Sequence, residues 1–201
     1  MASRALILDD IMDARAYERQ RDVMRNEVIS LKAVRRVAVG PVISLVFENR
    51  DTIRFQVQEL ARAEKAFSDE AVEELLRTYN PLIPQPGQLS ATLMIELTTK
   101  MELEHWLPRL VGIETAIRFE LARGGLPVVK VPCRVEDAHA ANLTRTEVTS
   151  AVHFVLFDFT AEQADAFRDA SVALVIDHPD YQERVELSEA TKSSLAADLA
   201  G

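Results

Sequence analysis

Glycine is scarce in this chain, six residues in 201. A glycine-rich phosphate cradle is hard to build from so few, and no Walker loop, GxGxxG, HExxH, CxxC or GxSxG pattern occurs. That argues against nucleotide enzymes of the common types. Cysteine is scarcer still: Cys133 stands alone, so no internal disulfide can form. It follows a buried-looking strand with no histidine near it in sequence, which favours a structural thiol over a nucleophile. No apolar run approaches the ~20 residues needed to span a membrane. The opening "MASRALILDDIMDAR" has too short an apolar stretch for a signal peptide, and acids follow it at once. A cytoplasmic protein is the expectation. Positive charge is in the minority too, 23 Lys and Arg against 32 Asp and Glu, for a net charge of −9. Such a chain repels polyphosphate, so nucleic acid and anionic membranes are not expected partners. Lys32, Arg35 and Arg36 form the densest basic group, and they sit where a helix C-terminus accounts for them.

What is present is core material. Hydrophobic residues make up 48% of the chain, and a chain of this length buries roughly 70% of the surface it exposes when unfolded. Residues 13–33 have helical spacing, with Tyr17, Met24, Val28 and Leu31 on one stripe among charges. "RRVAVGPVISLVF" reads as strand with a break at Gly40-Pro41. Beyond Glu48-Asn49-Arg50-Asp51, Ile53, Phe55 and Val57 alternate with Arg54, Gln56 and Gln58, the period of a β-hairpin arm. A helix from Thr52 is the alternative, because Ile53, Val57, Leu60 and Ala61 also share a helical face. Ser68 looks like the N-cap of a helix striped by Val72, Leu75, Leu76 and Tyr79. "YNPLIPQPGQ" ends that helix and marks a boundary.

The rest of the chain reads as a repeat. Residues 91–143 give strand (Leu93–Leu97), helix (Met101–Val111), strand (Thr115–Leu121), turn, strand (Val128–Val131) and an amphipathic tail. Residues 150–199 give strand (Val152–Phe159), helix (Ala161–Ala170), strand (Ser171–Asp177), turn, strand (Glu183–Leu187) and a helical tail. Each crossover helix opens with a capping box, Thr99-x-x-Glu102 and Thr160-x-x-Gln163. Strands joined through such helices are normally parallel. The strand at 150–159 is apolar on both faces and should be central, and Pro108 should kink or shorten the first crossover helix. The expected fold is therefore α+β. A helical and hairpin region over 1–88 precedes a duplicated strand–helix–strand–strand region over 89–201, which forms a mixed sheet with helices packed on it; the two regions may also be read as one continuous domain. An open sheet leaves edges that a second copy could cover, so a homodimer is expected.

Several strings, "RRVAVGP", "FENRDTIRFQVQE", "YNPLIP", "ATLMIEL", "RLVGIE", "TSAVHF" and "DHPDY", stand in an order and spacing that resemble a bacterial family catalogued only as a domain of unknown function, number 3501 in that series. The resemblance runs from Tyr17 to Val185, and residues 134–147 depart from it. Family members are often encoded beside rubrerythrin-like and iron–sulfur oxidoreductase proteins. By association, the resemblance implies redox or oxidative-stress work with such partners.

Two groups of residues are candidates for a site. In the hairpin reading Glu48 stands opposite Asp51, and facing carboxylates are costly unless Arg50 or a cation neutralises them. With Arg54 and Gln56 beside them, they form a candidate ligand-binding strip; a solvated turn with an ordinary salt bridge is the plainer account. If the strands at 152–159 and 171–177 are parallel, Asp158 falls near Asp177 and His178 at the carboxyl ends of the strands, where a divalent metal would suit two carboxylates and an imidazole. His178-Pro179-Asp180-Tyr181 is also good turn chemistry. His153 reads as a core histidine, and the four histidines make no recognisable metal pattern. Two functions follow: an accessory, partner-binding protein in a redox or oxidative-stress context, or a metal- or small-molecule-dependent enzyme with carboxylate and histidine ligands.

Overall fold

The computed structural model describes residues 4–66, 68–136 and 147–200. A leading segment with a 3-10 turn at Leu8–Asp10 precedes the long helix α1 (Ala14–Arg35). Strands β1 (Arg36–Val39) and β2 (Ile43–Glu48) follow, then α2 (Arg50–Ala63), α3 (Asp69–Tyr79), β3 (Gln88–Ile95), α4 (Lys100–Trp106), β4 (Ile117–Ala122) and β5 (Val129–Val135). The chain ends with β6 (Val152–Asp158), α5 (Ala161–Asp169), β7 (Ser171–His178), β8 (Tyr181–Glu186) and α6 (Glu189–Ala200). Local chemistry sets the helix starts. Asp13 accepts from the amides of Arg15 and Ala16, and Ser68 from that of Ala71. Thr99 and Thr160 open α4 and α5 with the expected capping boxes.

The strands form one sheet in the order β1-β2-β3-β6-β5-β4-β7-β8. Every pairing is antiparallel, and β1 returns to meet β8, so the sheet is a nearly closed barrel flanked by helices. This overturns the expected mixed sheet with helices packed on it. The reason is length. At ~1.5 Å per residue, the seven-residue α4 spans ~10 Å, whereas the eight-residue β3 runs ~26 Å at ~3.3 Å per residue. A helix that short does not run the length of the strand, as the crossover helix of a parallel unit does. It crosses the mouth of the barrel instead, and β4 runs antiparallel to β3. Pro108 shortens the helix, which ends at Trp106 rather than Val111. The alternation of strand directions puts α4 over one mouth and α5 over the other, and the barrel core reaches Leu110 and Ile113 at one end and Ala166 and Phe167 at the other.

The duplication is overturned with it. Strand–helix–strand–strand does occur twice, yet β5 inserts between β6 and β4 while β8 lies beyond β7. No two-fold axis relates such units, and β3 and β4 are separated by two strands. β6 is central, as its apolar faces imply. The sheet runs without a break across residue 88, and its two free edges face each other. The tail after residue 136, with His139, lies outside the described residues.

The hairpin placed at 45–58 is also corrected. β2 ends at Glu48, Asn49 caps α2 by accepting from the Thr52 amide, and the Asn49 amide in turn donates to Thr52 Oγ1. Ile53, Val57 and Ala61 are buried at helical spacing, so the alternation of Ile53, Phe55 and Val57 is incidental. The real hairpin is β1–β2, which folds back at Gly40-Pro41.

Inside the barrel, Phe119 is fully buried, with its ring 4.7 Å from Phe157, 5.6 Å from Phe47 and 5.7 Å from both Phe159 and Phe167. Tilted and edge-on pairs of this kind add ~0.5–1.5 kcal/mol each beyond their burial. β4 alternates buried and half-buried residues, while β2 is buried on both faces because helices cover its outer side. A second apolar cluster, with Leu6, Ile53, Val57, Leu75, Leu76, Leu82 and Ile83, lies among the helices and is joined to the sheet by Phe154.

The seam between β1 and β8 is stitched by a side chain. Tyr181 Oη donates to the Val39 carbonyl at 2.7 Å and accepts from the Val42 amide at 3.3 Å. Gly40 has φ +73°, and a Cβ there would meet Tyr181 Oη at 2.4 Å and Glu183 Cγ at 2.5 Å. Gly40→Ala therefore meets both strain and a clash and should cost ~1–3 kcal/mol. Tyr181→Phe should cost ~1 kcal/mol through the lost hydrogen bonds. Urea unfolding of the two variants checks this; a Gly40→Ala chain as stable as the parent would mean that the seam is not closed in this way.

Candidate functional site

The same stripe that packs α1 carries a polar network. Tyr17 is 1% exposed, so its hydroxyl needs a partner. It donates to Glu59 Oε1 at 2.5 Å, and Arg21, one turn along, grips both oxygens of Glu59 at 2.7 and 2.8 Å. The bidentate Arg21 guanidinium, helped by the Tyr17 hydroxyl, holds the Glu59 carboxyl down to about 2. Burial, then the Glu59 carboxylate, pushes the Tyr17 phenol well above its ordinary range. Neither group changes protonation near neutral pH. The network fixes α1 on α2 and shapes a wall; it supplies no proton.

That wall borders a cavity of about 940 Å³, which opens between the leading segment and the three helices α1, α2 and α3. Leu8, Ile11, Met12, Ala61, Ala66 and Val72 give it apolar sides, and the exposed Asp13, Arg62 and Asp69 stand at its edge. A volume of this size, with an apolar floor and polar groups around it, is in the range of a binding pocket.

The residues singled out from sequence lie elsewhere. Glu48 is buried on the outer side of β2; one oxygen accepts from Thr92 Oγ1 at 2.7 Å, and the other lies 3.9 Å from Lys32 Nζ. Arg50 pairs with Asp10 at 2.7 Å and donates from Nε to the Arg4 carbonyl. Asp51 is exposed and 3.7 Å from Arg54, one turn on in α2, and Gln56 is half-buried on the same helix. Glu48 and Asp51 therefore do not face each other across a turn.

Asp158 and Asp177 are not brought together either. Their strands are three places apart in an antiparallel sheet, so their carboxyl ends lie at opposite ends of the barrel. Asp158 accepts from Gln88 at 2.7 Å and Arg134 at 2.6 Å, and Asp177 from Arg118 at 2.9 Å. His178 Nδ1 accepts from the Asp180 amide, which leaves Nε2 to donate to the Val111 carbonyl. Among the described residues, no three His, Cys, Asp or Glu side chains group as metal ligands. His153 sits in the barrel wall with Nε2 2.9 Å from the Ser150 carbonyl, and burial lowers its pKa. Burial also pushes the Cys133 thiol up to about 11, which keeps it protonated. No helix among the described residues is long and apolar enough to cross a membrane.

The sequence reading missed Arg21, Glu59 and the two buried-side amides Gln58 and Asn80, which touch the leading segment. The available signal was Tyr17 and Arg21 one turn apart on an otherwise apolar stripe.

The chain matches the family described as "Protein of unknown function (DUF3501)" over residues 5–199. It is similar to a solved structure, a novel protein of unknown function from Burkholderia pseudomallei K96243, with 31% sequence identity, a TM-score of 0.86, and coverage of 97% of this chain and 99% of that one. No curated protein matches it.

The network predicts an acid response. Glu59 titrates near 4.5 when unfolded and about 2 when folded, so the unfolded chain takes up its proton first. The stability this group contributes is full above pH ~4.5 and drains away as pH falls towards ~2. Melting temperature followed from pH 6 to pH 2.5 should fall less steeply in Glu59→Gln, which starts from a lower value. Parallel curves would show that Glu59 carries no such linkage.

Proposed function

The chain belongs to the DUF3501 family of proteins of unknown function, and we propose that it is a non-catalytic, partner-binding protein. The observation that supports this is the 940 Å³ cavity between the leading segment and the helices α1, α2 and α3. Its apolar sides and charged edge have the composition of a protein-recognition surface. The buried Tyr17 in its wall is locked to Glu59 and Arg21 rather than free for chemistry. The rubrerythrin-like and iron–sulfur proteins implied by the family resemblance are the partners we would try first.

Val72 offers the cleanest probe, because it lines the cavity and is only partly buried. The wild-type chain and Val72→Arg, both checked for equal helix content and melting temperature, serve as bait in the native host. A named protein retained by wild type should drop at least tenfold on Val72→Arg, the loss expected of ~1.4 kcal/mol or more at an interface core. A partner retained equally by both would place binding elsewhere.

A further inference from the structure

We infer that the groove under residues 4–12 is a site for a peptide that is extended on either side of a single 3-10 turn, and that this leading segment is its in-cis occupant. The inference rests on the partner-binding reading and names the chemistry of the partner: a segment with a leucine anchor and, four residues further on at the end of a 3-10 turn, an aspartate.

The contacts that hold the segment are those of peptide recognition. Asn80 Oδ1 accepts from the Leu6 amide at 2.8 Å, and its Nδ2 donates to the Leu6 carbonyl at 3.0 Å. Gln58 repeats the motif on Met12, accepting from its amide at 2.9 Å and donating to its carbonyl at 3.0 Å. A carboxamide offers one donor and one acceptor in a plane, so each amide reads a peptide backbone as a neighbouring β-strand would, whatever the side chain. Selectivity comes from two other contacts. Leu6 is 3% exposed in the apolar cluster between α2 and α3, whereas its neighbour Ile7 is 60% exposed. Asp10 pairs with Arg50, whose Nε also donates to the Arg4 carbonyl. Arg4 in turn donates to the carbonyls of Pro84 and Asp198.

Between these bolts Leu8 and Ile11 are only half-buried against the same apolar cluster, and Ile7 is exposed. The 940 Å³ cavity lies on one side, and a second of about 520 Å³, lined by Leu6–Asp9 and by Glu73, Leu76, Arg77 and Asn80, lies on the other. A stretch of structural chain buried for stability would be packed along its length. This one is half-buried at Leu8 and from Asp10 to Met12, and its apolar contacts are with the helix cluster and not the barrel core, so it can leave without dismantling the barrel. Being tethered, it competes at an effective concentration of about millimolar, and a partner segment enters only when it outbids that or when the tether is drawn away.

The test uses the full chain with its own segment released. Leu6→Asp removes the anchor from the occupant and leaves the groove intact; Leu6→Ala does so without a charge, should the first variant fail to fold. The probe is a fluorescent peptide of the sequence RALILDDIM, residues 4–12, read by anisotropy. The released chain should bind it saturably. Adding Asn80→Ala should weaken binding ~tenfold or more, since two hydrogen bonds are lost and a buried backbone is left unpaired. Asp10→Asn in the peptide should weaken it too, and the wild-type chain, with its groove filled, should bind it least. No binding by a folded released chain, or equal binding with and without Asn80→Ala, would overturn the inference. So would a concentration-dependent wild-type dimer abolished by Asn80→Ala, which would make a second copy the occupant. If the peptide fails to bind while Val72 still governs capture of a partner, this inference falls and the partner-binding reading stands.

Discussion

The guanidinium of Arg35 is the node on which the helices, the sheet and the groove all depend. It is 1% exposed at the end of α1. Its Nε donates to the Phe47 carbonyl at 2.8 Å; Nη2 donates both to the Glu48 carbonyl at 3.1 Å and to the Asp198 carboxylate on α6, and Nη1 to Ser194 Oγ at 3.0 Å. One planar, permanently charged fork thus joins three elements that are far apart in sequence, which the point charge of a lysine would not do. Such a group is costly to bury alone; removing one partner of a buried pair typically costs ~3–5 kcal/mol. Where Arg35 holds β2, the strand ends and Asn49 starts α2, so the direction of α2, with Arg50 and Gln58 on it, is set from this point.

From there the polar contacts run outward in order. Asp198 is held through its side chain by Arg35, and its carbonyl receives Arg4. Arg50 donates to the Asp10 carboxylate. The leading segment is therefore attached to the scaffold through the same corner that fixes α6, while Asn80, Gln58 and the buried Leu6 set its position along the groove. The barrel explains why the helices are free to form such a groove. Its interior is filled by its own phenylalanines and its mouths are crossed by α4 and α5, so α2 and α3 remain on the outside, packed on the sheet through Phe154.

Much of the local structure was legible. The caps at Ser68, Thr99 and Thr160, the central position of β6 and the shortening at Pro108 each depend on residues a few positions apart. The strand order was not legible, because antiparallel and parallel arrangements share the same apolar pattern. The one decisive clue, a crossover helix too short for its strand, needed the helix end at Trp106. The alternation at Ile53, Phe55 and Val57 misled because it satisfies both periods, and the reciprocal bond of Asn49 and Thr52 decided it. Joining Asp158 to Asp177 depended on parallel strands and fell with them. The groove was beyond reach from sequence: Gln58 meets Met12 across 46 positions and Asn80 meets Leu6 across 74, and nothing local marks either pair.

The central claim is that residues 4–12 occupy a groove on a scaffold that stands without them. Native-state hydrogen exchange tests it directly, because the Leu6 and Met12 amides donate to Asn80 and Gln58, whereas those of Ile53 and Val57 lie in the packed interior of α2. The account predicts that Leu6 and Met12 exchange together, through an opening of lower free energy than global unfolding and insensitive to low denaturant, while Ile53 and Val57 exchange only when the whole chain unfolds. Equal protection at all four amides, with the same denaturant dependence, would show that the segment is an integral part of the core and would contradict the account.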